Sequence, residues 1–139
     1  MSREDETNQL VDDGIGFAED LLVKHGEFLP YGMVMKLDGA TQFVAADTGE
    51  EQPASQDAID ALRAIFQTMA KDGAIRCSAV FHDVKTKLPD SGEDADAIAA
   101  AIDHIDDYSV TVLYPYQVMG EQVGYAPCFA VAGKGGIFD

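Results

Sequence analysis

The chain has 139 residues, 47% hydrophobic and 24% charged, with 25 acidic against 9 basic side chains and a formal charge of −16. That length fits one domain, and the composition is that of a globular protein rather than a disordered one. The charge opposes phosphate backbones and argues against nucleic acid as a partner. No apolar run approaches the roughly 20 residues that a membrane span needs.

The first residues, MSREDETNQL, are polar and acidic where a signal peptide would be basic and then apolar, so the expected compartment is the cytoplasm. Ser2 and Asp5 form a capping-box pattern, and Glu4, Asp5 and Glu6 suit the positive end of a helix. Leu10, Gly14, Phe17 or Ala18, and Leu21 recur at helical spacing, and Lys24, His25 and Gly26 form a stop. Gly14 and Gly16 each weaken this helix by about 1 kcal/mol relative to Ala, so it must pack on something.

Phe28 to Asp47 reads as a hairpin with Asp38-Gly39 as a two-residue type I′ turn. That turn pairs Leu37 with Ala40, Met35 with Gln42 and Met33 with Val44, placing Val44 and Ala46 on the face of Tyr31, Met33, Met35 and Leu37, with Val34, Phe43 and Ala45 opposite. Both faces are apolar, so both are expected to be covered. Asp47 to Pro53 is a polar loop. A second helix follows, with Ser55 as N-cap and an apolar stripe of Ala58, Leu62, Ile65, Phe66 and Met69, closed by Gly73.

Ala74 to Leu88 alternates as one long strand, with Ile75, Cys77, Ala79 and Phe81 on one face and Ser78, Val80, His82 and Val84 on the other. Ser91 with Asp94 is a second capping-box pattern, and Ile98, Ile102 and Ile105, padded by alanines, predict a third helix. Tyr108 to Val131 carries a single charged side chain, Glu121. It reads as two strands joined around Met119-Gly120, interrupted at Pro115 and Pro127. So neutral a stretch is expected inside a sheet or beneath a second subunit.

The order α-β-β-α-β-α-β-β predicts a single α+β domain over residues 1–139, with five antiparallel strands, three helices mostly on one side, and spatial order 2-1-5-4-3. In architecture alone this resembles profilin-like, PAS-like and roadblock-like folds, and no diagnostic motif accompanies the likeness.

Chemistry-bearing residues are scattered. His82 and Asp83 are neighbours on a strand and point to opposite faces, so they do not form a catalytic pair. Asp103, Asp106 and Asp107 crowd what reads as a helix C-terminus, where the macrodipole disfavours them. With Tyr114 and Tyr116 they are the candidate partner-binding residues. His82, Met33, Met35 and Phe66, with Met69, are candidate ligand-binding residues between a sheet face and a helix. His25, His82, His104, Cys77 and Cys128 have no metal-site spacing, Gly133-Lys134-Gly135-Gly136 is no phosphate loop, and no cofactor is implied. Both cysteines lie in apolar strand patterns and read as reduced, small hydrophobes.

The acidity is either a field for a basic partner or a salt-adapted background. The expected function is a non-catalytic protein-association module, a homodimer, with an immunity- or adaptor-like grip on a basic partner as its sharpest form. The alternative is a small-ligand-binding or sensory module. A hydrolase-type enzyme using His82 or His104 stands third.

Overall fold

Helix α1 runs from Arg3 to His25 in the computed structural model, which describes residues 2–46 and 54–138. The expected loop Asp47–Pro53 therefore lies outside the described residues. The capping box forms in both directions: the Asp5 amide donates to Ser2 Oγ and the Ser2 amide to Asp5 Oδ2. Gly26 ends the helix in the left-handed region with φ 76°, its amide donating to the Leu22 carbonyl at 2.8 Å.

The chain then forms β1 (Tyr31–Lys36) and β2 (Thr41–Ala45). Their turn holds three residues, Leu37-Asp38-Gly39, and the observed partners are Met35 with Thr41 and Met33 with Phe43. The Lys36 amide bonds the Ala40 carbonyl, and Gly39 takes the left-handed conformation at φ 92°. One residue more than a type I′ turn shifts the register by one and turns β2 over. Phe43 thus joins Tyr31, with which it stacks, while Val44 and Ala46 pack on the opposite side. This corrects the expected faces.

Helix α2 (Ser55–Lys71) starts one residue earlier than expected: Ala54 is the N-cap, and it offers no side-chain bond. Its buried stripe is Ala58, Leu62 and Phe66. It returns the chain to the sheet as β3 (Ile75–Lys87), beside β1 rather than at the far edge. A bulge opposite Met35 and Lys36 turns Ile75 to the side opposite Cys77, which corrects the expectation that the two share a face.

The predicted third helix is a strand, β4 (Asp94–His104). It pairs with β3 over eleven residues, from Lys87↔Asp94 to Cys77↔His104, and with β5 (Tyr108–Met119) on its other edge. Helix propensity separates alanine from other ordinary residues by a few tenths of a kcal/mol each, about 0.7 at most. That preference yields to two hydrogen-bonded ladders and to burial on both faces. The isoleucine spacing read as helical also fits period two, with Ile98, Ala100 and Ile102 on one face and the flanking alanines on the other.

Strand β5 serves two short partners, β6 (Gln122–Tyr125) along Tyr116–Met119 and β7 (Phe129–Ala132) along Val110–Leu113. Pro115 falls between them, as its missing N–H requires. The result is one antiparallel α+β sheet in the order β2-β1-β3-β4-β5-β6, with β7 also on β5. Among the described residues, seven strands and two helices replace the expected five and three. The order is not 2-1-5-4-3, because β1 pairs with β3.

The helices lie on opposite faces rather than on one. Helix α1 packs Leu10, Val11, Ala18 and Leu22 onto Tyr31, Met33, Met35, Ala79, Phe81 and Ile98. Helix α2 packs Leu62 and Phe66 onto Val34, Ile75 and Val80, joined by Ile137 from the tail. The neutral stretch is not mid-sheet. Val110 and Val112 are partly covered beneath α1, but β7 lies at the outer side and Val131 is 47% exposed.

The two helix glycines separate in role. A Cβ on Gly14 would stand 2.7 Å from Met33 Cγ and 2.8 Å from the Phe81 ring, while one on Gly16 would meet nothing within 4 Å. We therefore predict opposite signs in urea unfolding. Gly14→Ala lowers stability by about 1–3 kcal/mol through overpacking, and Gly16→Ala raises it by about 0.5–1 kcal/mol.

Candidate functional site

A broad concavity lies where β1 begins and β2 ends, between the last turns of α1 and the first turn of α2. It measures about 970 Å³, at the upper end of ligand-site volumes. Aromatic rings form its floor. Tyr31 stacks on Phe43 at 5.5 Å between centroids and on Phe81 at 5.1 Å. Phe17 lies 4.8 Å from Phe43 and 5.9 Å from Tyr31, and Phe28 lies 5.8 Å from Tyr31. Phe17, Leu29 and Phe43 remain 45%, 46% and 43% exposed and form an open apolar wall.

Tyr31 fixes this floor. Its hydroxyl donates to the Gly14 carbonyl at 2.7 Å and accepts from the Ala18 amide at 3.1 Å. Those are the i and i+4 groups that a regular helix joins to each other. Burial holds the Tyr31 hydroxyl protonated well above the usual tyrosine range.

Three carboxylates, Asp20, Glu27 and Asp83, line the cleft with Lys24 and His25. Asp83 accepts the Tyr116 hydroxyl at 2.8 Å. Burial raises the Asp83 carboxyl above the ordinary range, partly offset by that hydrogen bond. Among the described residues no ion pair joins Asp20, Glu27 or Asp83 to a cation.

The residues singled out from sequence are not gathered here. Met33 and Met35 lie in the core under α1, whereas Phe66 lies under α2, so the sheet itself separates them. His82 faces the α2 side, opposite Asp83 as expected, and burial followed by nearby Lys134 pushes its imidazole below the usual range. Tyr116 is buried on Asp83, and Tyr114 is half-buried against Tyr125. Asp103 is buried in β4, while Asp106 and Asp107 are exposed in the hairpin loop before β5. With no helix there, the expected repulsion at a helix C-terminus disappears. Asp107 instead supplies a left-handed residue, φ 58°, to a three-residue turn, a conformation Asp tolerates better than most side chains.

A buried polar group escaped the sequence altogether. Glu6 is 3% exposed and His104 1%, and Glu6 Oε1 lies 3.0 Å from His104 Nε2. The Asp106 amide donates to His104 Nδ1, which leaves the ring proton on Nε2 facing Glu6. Arg76 Nε stands 2.8 Å from Glu6 Oε2, an ion contact without hydrogen-bond alignment. Arg3 extends the group by donating to the Asp106 carbonyl and lying 4.7 Å over the Tyr108 ring. From sequence, Glu6 is one more acid in a helix first turn, and nothing local marks it as buried. Cys77, beside this group, is pushed up to about 12 by burial and then by the Glu6 and Asp103 carboxylates, so it is a thiol at neutral pH.

Among the described residues no three His, Cys, Asp or Glu side chains are grouped to hold a metal, and no helix is long and apolar enough to cross a membrane. Comparison of the chain with protein-family models, curated proteins and solved structures gave no match.

Two predictions rest on these groups. His104→Phe leaves the buried Glu6 carboxylate short of a donor and costs about 1–3 kcal/mol. A double-mutant cycle with Glu6→Gln should return a coupling of about 0.5–3 kcal/mol, and strict additivity would show that the pair does not interact. Secondly, burial raises the hydroxyls of Tyr31, Tyr114, Tyr116 and Tyr125, with the carboxylates of Asp83 and Glu19 adding to the last two. Folded values above the unfolded one mean that their stabilisation is full below about pH 10 and is lost as pH rises beyond it. Ultraviolet titration should therefore show these tyrosines ionising together with loss of near-UV circular dichroism, not independently at ordinary pH values.

Proposed function

We propose that this chain is a non-catalytic association module that works as a homodimer, two copies meeting along the outer edge of β7. The supporting observation is the character of that edge. β7 is Phe-Ala-Val-Ala, pairs with β5 on one side, and meets no strand on the other among the described residues. It carries none of the charges, prolines or bulges by which proteins blunt a free edge.

Charge favours the same place. Two chains of −16 repel, and the surface from Tyr108 to Val131 offers only Glu121 to oppose its twin. At the opposite edge of the sheet, β2 has Asp13 bonded to Thr41 at its start, a carboxylate that an identical neighbour would meet. Antiparallel pairing of two β7 strands extends the sheet, satisfies main-chain groups and covers Val131.

Light scattering at micromolar concentration tests this. The expected mass is twice 14.9 kDa. The dimer fraction should rise with salt, since the screening length falls from about 10 Å at 0.1 M to about 3 Å at 1 M. Val131→Asp should return the single-chain mass with circular dichroism unchanged. A mass of 14.9 kDa throughout the salt series, or a Val131→Asp dimer as strong as the parent, would overturn the proposal.

A further inference from the structure

The aromatic cleft has a chemistry of its own, independent of how copies associate. Among the described residues its lining carries three carboxylates against one lysine and one histidine. Lys24 and His25 occupy the last turn of α1, where they answer the carbonyl end of their own helix, and Asp57 likewise answers the positive end of α2. Among the described residues Asp20, Glu27 and Asp83 form no ion pair, and they stand at the edge of a site floored by Phe17, Phe28, Tyr31 and Phe43. Aromatic faces attract a positive charge through their quadrupole, most strongly where the cation is weakly hydrated.

From this combination of volume, rings and unmatched negative charge, we infer that the cleft binds a small organic cation with an alkylated ammonium head. Phe17 and Phe43, 45% and 43% exposed, supply ring surface for the head group. Glu27 and Asp20, both exposed at the mouth, supply the field that draws it in, and Asp83 lies deeper beside the Tyr116 hydroxyl. An anion would meet those carboxylates, and a neutral apolar molecule would forgo them.

The test compares choline with its uncharged carbon isostere, 3,3-dimethylbutan-1-ol, by titration followed in two-dimensional NMR. Choline should shift resonances of Phe17, Phe43 and Glu27, and the isostere should bind at least roughly fivefold more weakly, the factor a cation–π contact of about 1 kcal/mol supplies. Phe43→Leu keeps apolar bulk and removes the ring face, so it should weaken choline and leave the isostere unchanged. The surface variant Asp20→Asn/Glu27→Gln should lower choline affinity and flatten its salt dependence. Equal binding of the two probes, shifts centred elsewhere, or no binding of choline would each overturn the inference. None of these outcomes bears on the mass measured by light scattering, so the cleft and the dimer stand or fall separately.

Discussion

Tyr31 ties the middle of the first helix to the sheet. Its hydroxyl bonds both the Gly14 carbonyl and the Ala18 amide, and its ring lies between Phe43 and Phe81. The arrangement works only because residue 14 has no Cβ, which brings α1 close enough for the hydroxyl to reach. One residue thereby sets the height of the helix, fixes the hairpin beneath it and leaves the neighbouring rings of Phe17 and Phe43 facing outward. The cleft is the open side of that same arrangement.

A second constraint holds the far end of α1. Glu6 brings a carboxylate into the interior, where an unmatched charge would be costly, and His104, Arg76 and the Asp106 amide form the surrounding polar group. These partners come from β3, β4 and the turn before β5. The polar group therefore reports on correct assembly of strands distant in sequence, and it fixes where α1 begins relative to the sheet. Aromatic packing at one end and buried polar contacts at the other position the helix between them.

The distribution of charge acts on a larger scale. Acidic side chains cover the helices and loops, while β5, β6 and β7 are almost free of charge. Neutrality at the outer side of the sheet has a different meaning from neutrality at its centre. In the centre it would serve packing alone, but at an edge it leaves a surface that another strand can approach without opposing charges. Moving the stretch from the centre to the edge thus removes one reason for its composition and strengthens the other.

Local chemistry alone settled much of this fold. Ser2, Asp5 and Gly26 bound α1, the stripe from Ala58 to Phe66 marks α2, alternation marks β3, and Pro115 divides the pairing along β5. Each depends on neighbours within a turn or two, which is why it is legible in the chain. The tertiary structure decided the rest. An extra residue in the Leu37–Gly39 turn reversed the faces of β2, since strands have a period of two. The alanines of β4 left the helical state because β3 and β5 offered two ladders that no local preference outweighs. Met33 and Phe66, both apolar and both flexible in assignment, ended on opposite faces of one sheet. The cleft and the Glu6–His104 pair unite residues up to 98 positions apart, and only the path of the folded chain brings them together.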